Sequence, residues 1–159
     1  MSSDSGVSND QQSQVNDNTN RMIKIVLVGD TSVGKSCLIR NYLDNTFSED
    51  YEPTVLDVYK GTKAVKRRQI DIEIHDTSGD EHLGVNRQIQ YKGADIFIVS
   101  VATNNPDSLL SVPRWANEIR TVCPNAPLMI VLTKGDLEDF LDNPVTLQMV
   151  QAKATEVAC

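Results

Sequence analysis

Eight residues, Gly29-Asp30-Thr31-Ser32-Val33-Gly34-Lys35-Ser36, constrain this chain's fold more than any other stretch. They satisfy the pattern G-x-x-x-x-G-K-[ST], whose glycines let successive backbone N–H groups turn inward around a phosphate chain. An apolar run, Ile23 to Val28, stands directly before the octapeptide, and a helix-compatible run, Cys37 to Leu43, follows it. A strand, a glycine-bearing loop and a helix in that order aim the helix N-terminus at the same anion. Lys35 is expected to reach the β- and γ-phosphates and the Ser36 hydroxyl to bind Mg²⁺. Thr31, Ser32, Val33, Gly34 and Cys37 complete the expected nucleotide-contacting loop.

The rest of the sequence suits a domain built around that loop. At 159 residues, 40% of them hydrophobic, the chain is long enough for one domain with a real core. Residues 1–20 are polar and read as a disordered tail, leaving 21–159 as the domain. Three continuous apolar runs, Ile23–Val28, Ile96–Val101 and Leu128–Thr133, suggest strands buried on both faces, as in a parallel sheet. Ile70-Asp71-Ile72-Glu73-Ile74 alternates as a strand with one wetter face, and Val55–Lys60 is expected to pair with it through the Gly61 region. Helices are predicted over 35–43, 81–91, 106–121 and 145–158, with Asn105-Pro106-Asp107 as a helix start. Alternating strands and helices predict a three-layer α/β domain with a mostly parallel sheet.

Composition removes several function classes. The net charge of −7 argues against general nucleic-acid binding, which needs a basic surface. Lys66-Arg67-Arg68 reads as the top of a solvated hairpin, with an acidic partner or a lipid headgroup as the other reading. Cys37, Cys123 and Cys159 form neither a disulfide framework nor a metal spacing, so a reducing cytoplasm is expected. The first twenty residues lack the apolar stretch of a signal peptide, and no apolar run is long enough to span a membrane.

Two further motifs converge on the phosphate loop. Asp76-Thr77-Ser78-Gly79 ends the alternating strand, forty residues after Ser36. A strand-end Asp there can hold the Mg²⁺ shell, and the Gly79 N–H can meet a γ-phosphate. Thr133-Lys134-Gly135-Asp136 ends the third apolar run. Ligands of open α/β sheets bind outside the carboxyl ends of the strands, so all three motifs belong on one rim. The Asp136 carboxylate can accept from guanine N1 and N2, a donor pair that adenine lacks.

With these motifs in place, residues 22–159 resemble the Ras superfamily of small GTPases, Rho-like in Pro106-Asp107-Ser108-Leu109 and Cys123-Pro124-Asn125-Ala126-Pro127, and Rab-like in the phosphate loop. The resemblance implies a P-loop G domain that binds GTP or GDP with Mg²⁺ and hydrolyses GTP slowly. It implies a first switch at Tyr51-Glu52-Pro53-Thr54-Val55, with Thr54 on Mg²⁺ and γ-phosphate, Tyr51 covering the phosphates and Phe47 packing on guanine. Lys134 would flank the base from the other side. Lys35, Thr54, Gly79 and Asp80 would stand around the reacting phosphate. Effector and regulator proteins would read residues 47–57 and 77–90, ordered by the γ-phosphate.

Four features depart from the pattern of that family. Asp80 stands where Gln orients the attacking water, Ser78 replaces Ala, and Thr133 replaces the Asn that reaches guanine N7 and braces the phosphate loop. The sequence also ends at Cys159 before the expected sixth strand and last helix. A strip of apolar sheet is therefore expected to face water unless a partner or another segment covers it. Cys159 is not in a C-a-a-X position, so it is not expected to carry a lipid anchor of that type. Two rivals to an active switch remain: a GTP-binding module that fails to hydrolyse, and a nucleotide-free scaffold.

Overall fold

The structure, a computed structural model, describes residues 22–47 and 53–157. The tail expected over 1–20, Tyr51 and Cys159 lie outside the described residues. Among the described residues, five strands form one sheet in the order β2-β3-β1-β4-β5. They are β1 (Met22–Val28), β2 (Leu56–Val65), β3 (Arg68–Thr77), β4 (Ile96–Ala102) and β5 (Leu128–Thr133). β1 pairs in parallel with both β3 and β4, and β4 with β5. Only β2 runs antiparallel, joined to β3 as a hairpin. The apolar runs of β1 and β4 are interior parallel strands, as expected, whereas β5 is an edge strand with no fully buried residue, so the expectation of burial on both faces fails there.

The helices are α1 (Lys35–Asp44), α2 (Gly84–Tyr91), α3 (Pro106–Leu110), α4 (Val112–Val122) and α5 (Leu147–Val157). They lie on both sheet faces. On one face Val26, Val28, Phe97, Val99 and Val101 pack against Tyr91, Leu109, Trp115, Ile119 and Val150 of α2 to α5. On the other face Leu27, Ile72 and Ile74 meet Leu38, Ile39 and Leu43 of α1. On this α1 face Ile25, Ile98 and Val131 are only half-buried and Met129 is 50% exposed. The expectation of an incompletely covered apolar strip thus describes these residues.

Some boundaries differ from the sequence reading, each for a local reason. Gly61 is not the hairpin turn; it lies inside β2 opposite Ile72, and the turn falls at Lys66 and Arg67. The predicted helix 106–121 is two helices broken at Ser111. Pro113, in the first turn of α4, has no N–H with which to continue the ladder back to Leu109. The Ser111 N–H closes α3 on Asp107 O at 2.9 Å. Asn105 caps α3 as expected, its side chain accepting from the Ser108 N–H. The segment 81–91 begins as a 3₁₀ turn, Glu81–Leu83, before α2. A second 3₁₀ segment, Gly135–Phe140, was not expected.

Candidate functional site

Parallel pairing decides where the motifs meet. Leu27 of β1 stands opposite Asp76 of β3, and Ala102 of β4 opposite Thr133 of β5. The carboxyl ends of β1, β3 and β5 therefore open on one rim, and each delivers one motif there. Thr77 pins two of these ends together, its hydroxyl donating to Leu27 O at 2.6 Å.

Two glycines give the loop its path. Gly29 has φ +138°, and a Cβ there would lie 2.5 Å from Ser100 O. The loop can cross β4 this closely only without a side chain. Gly34, at φ +93°, turns the chain into α1. Val33 is buried, whereas Thr31 and Ser32 are exposed and Cys37 is half-buried in the first turn of α1. The buried Lys35 ammonium donates to Gly29 O at 2.8 Å and Asp30 O at 2.9 Å. Burial pushes its pKa down to about 8, against the pull of Asp76 and Asp30 upward.

Beside Lys35 lies a cluster of oxygens. Ser36 Oγ is 2.9 Å from Thr54 Oγ1 and 2.5 Å from Asp76 Oδ2. Asp76 is fully buried, and its Oδ1 has no hydrogen-bond partner among the described residues. Burial raises the Asp76 pKa, more than the Ser36 bond and the Lys35 charge lower it. A buried carboxylate oxygen aimed at no donor, flanked by two hydroxyls, fits a small hard cation.

Gly79 lies against the loop itself. A Cβ there would be 2.4 Å from the Asp30 carbonyl carbon and from the Thr31 nitrogen. The buried Arg87, 3% exposed, holds the peptides on either side of it. Its Nη1 donates to Ser78 O at 2.8 Å and to Asp80 O at 2.9 Å. Arg87 is fixed in turn by Glu118 and stacks over Trp115 at 4.6 Å. A second tie runs from α4 to the loop. Trp115 Nε1 and Arg114 Nη2 both donate to Asp30 Oδ1, at 2.8 and 2.9 Å. The sequence reading missed Arg87, Arg114, Trp115 and Glu118, whose partners are far away in the chain.

β5 contributes the third motif. Thr133 Oγ1 faces Val33 O at 2.5 Å and Val101 O at 3.1 Å, so its hydroxyl braces the phosphate loop despite its shortness. Lys134 Nζ donates to Ser32 O at 2.9 Å. Asp136 is exposed in the first turn of the Gly135–Phe140 segment. A family model described as the Ras family matches residues 24–159.

The chain belongs to the Ras family. Its members are GTP-binding switches and GTP hydrolases, and the five-stranded, mostly parallel sheet is that of a P-loop G domain. Within this Ras-family frame the structure brings Lys35, Ser36, Thr54, Asp76 and Gly79 to one place, with Thr133 and Lys134 touching the same loop. Phe47 is 71% exposed and makes no described contact with Asp136 or Lys134. The Asp80 carboxylate does not point freely at the loop. Its Oδ1 accepts from the His82 N–H at 2.9 Å and caps the 3₁₀ turn. Among the described residues no helix is long and apolar enough to cross a membrane.

Proposed function

We propose that this Ras-family protein is a Mg²⁺-dependent GTP/GDP switch with slow intrinsic hydrolysis. The observation that carries the reading is the orphaned Asp76 Oδ1 beside Ser36 and Thr54, next to Lys35. Ser36 and Thr54 would hold Mg²⁺ directly and Asp76 through its shell. Bound there, the ion would supply charge neutralisation between the β- and γ-phosphates.

The chain's own residues do the rest. Lys35 adds positive charge at the β- and γ-phosphates once it lets go of Gly29 O and Asp30 O. The Gly79 N–H donates to the γ-phosphate, its position set by Arg87. Asp136 selects guanine, and Phe47, Lys134 and Tyr51 line the nucleotide. Gain and loss of the γ-phosphate contact at Thr54 and Gly79 would reorder residues 47–57 and 77–90, the surface that effectors and regulators read.

Replacing Ser36 by Asn tests the reading. Mg²⁺-dependent GTP binding should weaken at least tenfold while GDP binding without Mg²⁺ changes less. Equal Mg²⁺-dependent affinity in the variant and the parent would refute it. A second reading, a GTP-bound module that does not hydrolyse, is favoured by Asp80, which cannot donate to water or phosphate when ionised.

A further inference from the structure

The β2–β3 hairpin carries a charge pattern that the nucleotide site does not use. From Val58 to Ile70 the chain holds five of its 15 basic residues, Lys60, Lys63, Lys66, Arg67 and Arg68, and none of its 22 acidic ones. The remainder, ten basic against 22 acidic, carries −12. Lys60 is paired with Glu73 at 3.0 Å, and Lys63 lies over the Tyr42 ring. Among the described residues, Lys66, Arg67 and Arg68 have no ion-pair partner.

These charges sit on an overhang. β1 meets β3 only from Asp71 onward, so the described sheet supports the hairpin no further out than that. Residues 64–69 are all exposed, and Val65 among them is 48% exposed.

The backbone of the turn adds a second, independent observation. Lys66 has φ +46° and Arg67 φ +69°. A two-residue hairpin turn with both central residues in the left-handed region is the type that Asn-Gly adopts most readily. A Cβ makes that region unfavourable. Two long cations therefore occupy a turn in which shorter residues would fold better, and strain of this kind collects where a surface is used.

We propose that this tip docks the protein on an anionic lipid bilayer, with Lys66, Arg67 and Arg68 toward the headgroup phosphates and Val65 at the interface. An extended anionic surface can meet the cations of this exposed tip together, whatever their side-chain positions, and the excess of positive charge complements it. The long Lys and Arg stems let the charges reach phosphate while Val65 approaches the acyl boundary. The acidic body is repelled by the same surface within a screening length of about 8 Å, so the molecule is oriented tip first. The proposal stands independently of the nucleotide reading.

The test is the double variant Lys66→Asn with Arg67→Gly in the full chain. It removes two cations and installs the favoured turn. The parent should co-sediment with phosphatidylcholine vesicles that contain phosphatidylserine, not with phosphatidylcholine alone, and added salt should release it. The variant's partition onto the anionic vesicles should fall about tenfold or more. Its melting temperature should rise by about 2–4 °C, in line with a domain of this size relieved of modest strain. A structural role for the two residues would move the melting temperature the other way. Failure of the parent to bind anionic vesicles, or equal binding by both proteins, overturns the proposal. Binding to soluble polyglutamate without vesicle binding also overturns it, in favour of an acidic protein partner.

Discussion

Arg87 and Glu118 form a two-point ion pair across 31 residues, Nε to Oε1 at 2.8 Å and Nη2 to Oε2 at 2.9 Å. The pair ties α2 to α4, and it leaves the Arg87 Nη1 free to hold the peptides on both sides of Gly79. Tyr91 completes it, its hydroxyl donating to Glu118 Oε1 at 2.7 Å. The position of Gly79, the proposed γ-phosphate donor, is thus set by residues of α2 and α4.

Breaking this pair should destabilise the fold strongly, because Arg87 would be left charged and buried. Glu118→Ala is expected to cost about 3 kcal/mol in urea unfolding. Glu118→Gln allows a pH test. Burial pushes the Glu118 carboxyl up, but the Arg87 and Tyr91 bonds outweigh it and hold the carboxyl below 4.5. A lowered folded pKa contributes stability above the unfolded value that is lost as pH falls through the folded one. The parent should therefore lose stability below pH 4.5 more steeply than Glu118→Gln does. Parallel acid limbs would contradict the role given to the pair.

Lys35 predicts a proton linkage. Its folded pKa of about 8 lies below the usual 10.5, so its contribution to stability rises with pH between those values, where only the unfolded chain is protonated. Polyphosphate beside the ammonium should restore the proton. Nucleotide binding at about pH 8.5 should take up a large fraction of a proton, and at about pH 7.5 much less. Calorimetry in two buffers of different ionisation enthalpy measures this. Identical uptake at both pH values would mean that Lys35 does not meet the phosphates.

The proposed base choice rests on Asp136. Asp136→Asn should lower GTP affinity and raise that for xanthosine triphosphate, since the amide can donate where the carboxylate accepted. Competition between the two nucleotides reads the preference directly, and an unchanged ratio would remove Asp136 from the base site.

Asp80→Gln should raise single-turnover GTP hydrolysis on the order of tenfold, about 1.4 kcal/mol in barrier. The Gln can orient water, and the negative charge near the γ-phosphate is gone. The structure adds a cost that the sequence did not show. Asp80 caps the Glu81–Leu83 turn, so the variant should also lose about 1 kcal/mol of stability. An unchanged or lower rate would mean that the Asp80 carboxylate stays turned away or serves as a base.

The parts legible in the sequence are those written in contiguous residues. The apolar runs gave β1, β4 and β5, and Gly29 to Ser36 gave the loop, because a phosphate loop needs its glycines at fixed spacing. Lys66-Arg67-Arg68 was legible as the hairpin top, but the connection expected through the Gly61 region is not the turn, because glycine is the ordinary turn residue and this turn uses Lys66 and Arg67 in the left-handed region. The Arg87–Glu118 pair and the ties of Arg114 and Trp115 to Asp30 were invisible for another reason. They join residues that only the packing of α2 and α4 over the sheet brings together, and no local pattern marks them. Thr133 read as a weakened base contact, and its bond to Val33 O shows that the loop brace survives the shorter side chain.

The most direct test of the central claim is the nucleotide content of the full chain. The protein would be purified in Mg²⁺ buffer without added nucleotide, denatured mildly, and the released small molecules separated by anion-exchange chromatography. The oxygen cluster at Ser36, Thr54 and Asp76, beside Lys35, predicts near-stoichiometric GDP or GTP, lost when EDTA is present during purification. Folded protein that carries no guanine nucleotide and takes up none when GTP and Mg²⁺ are supplied would contradict the account.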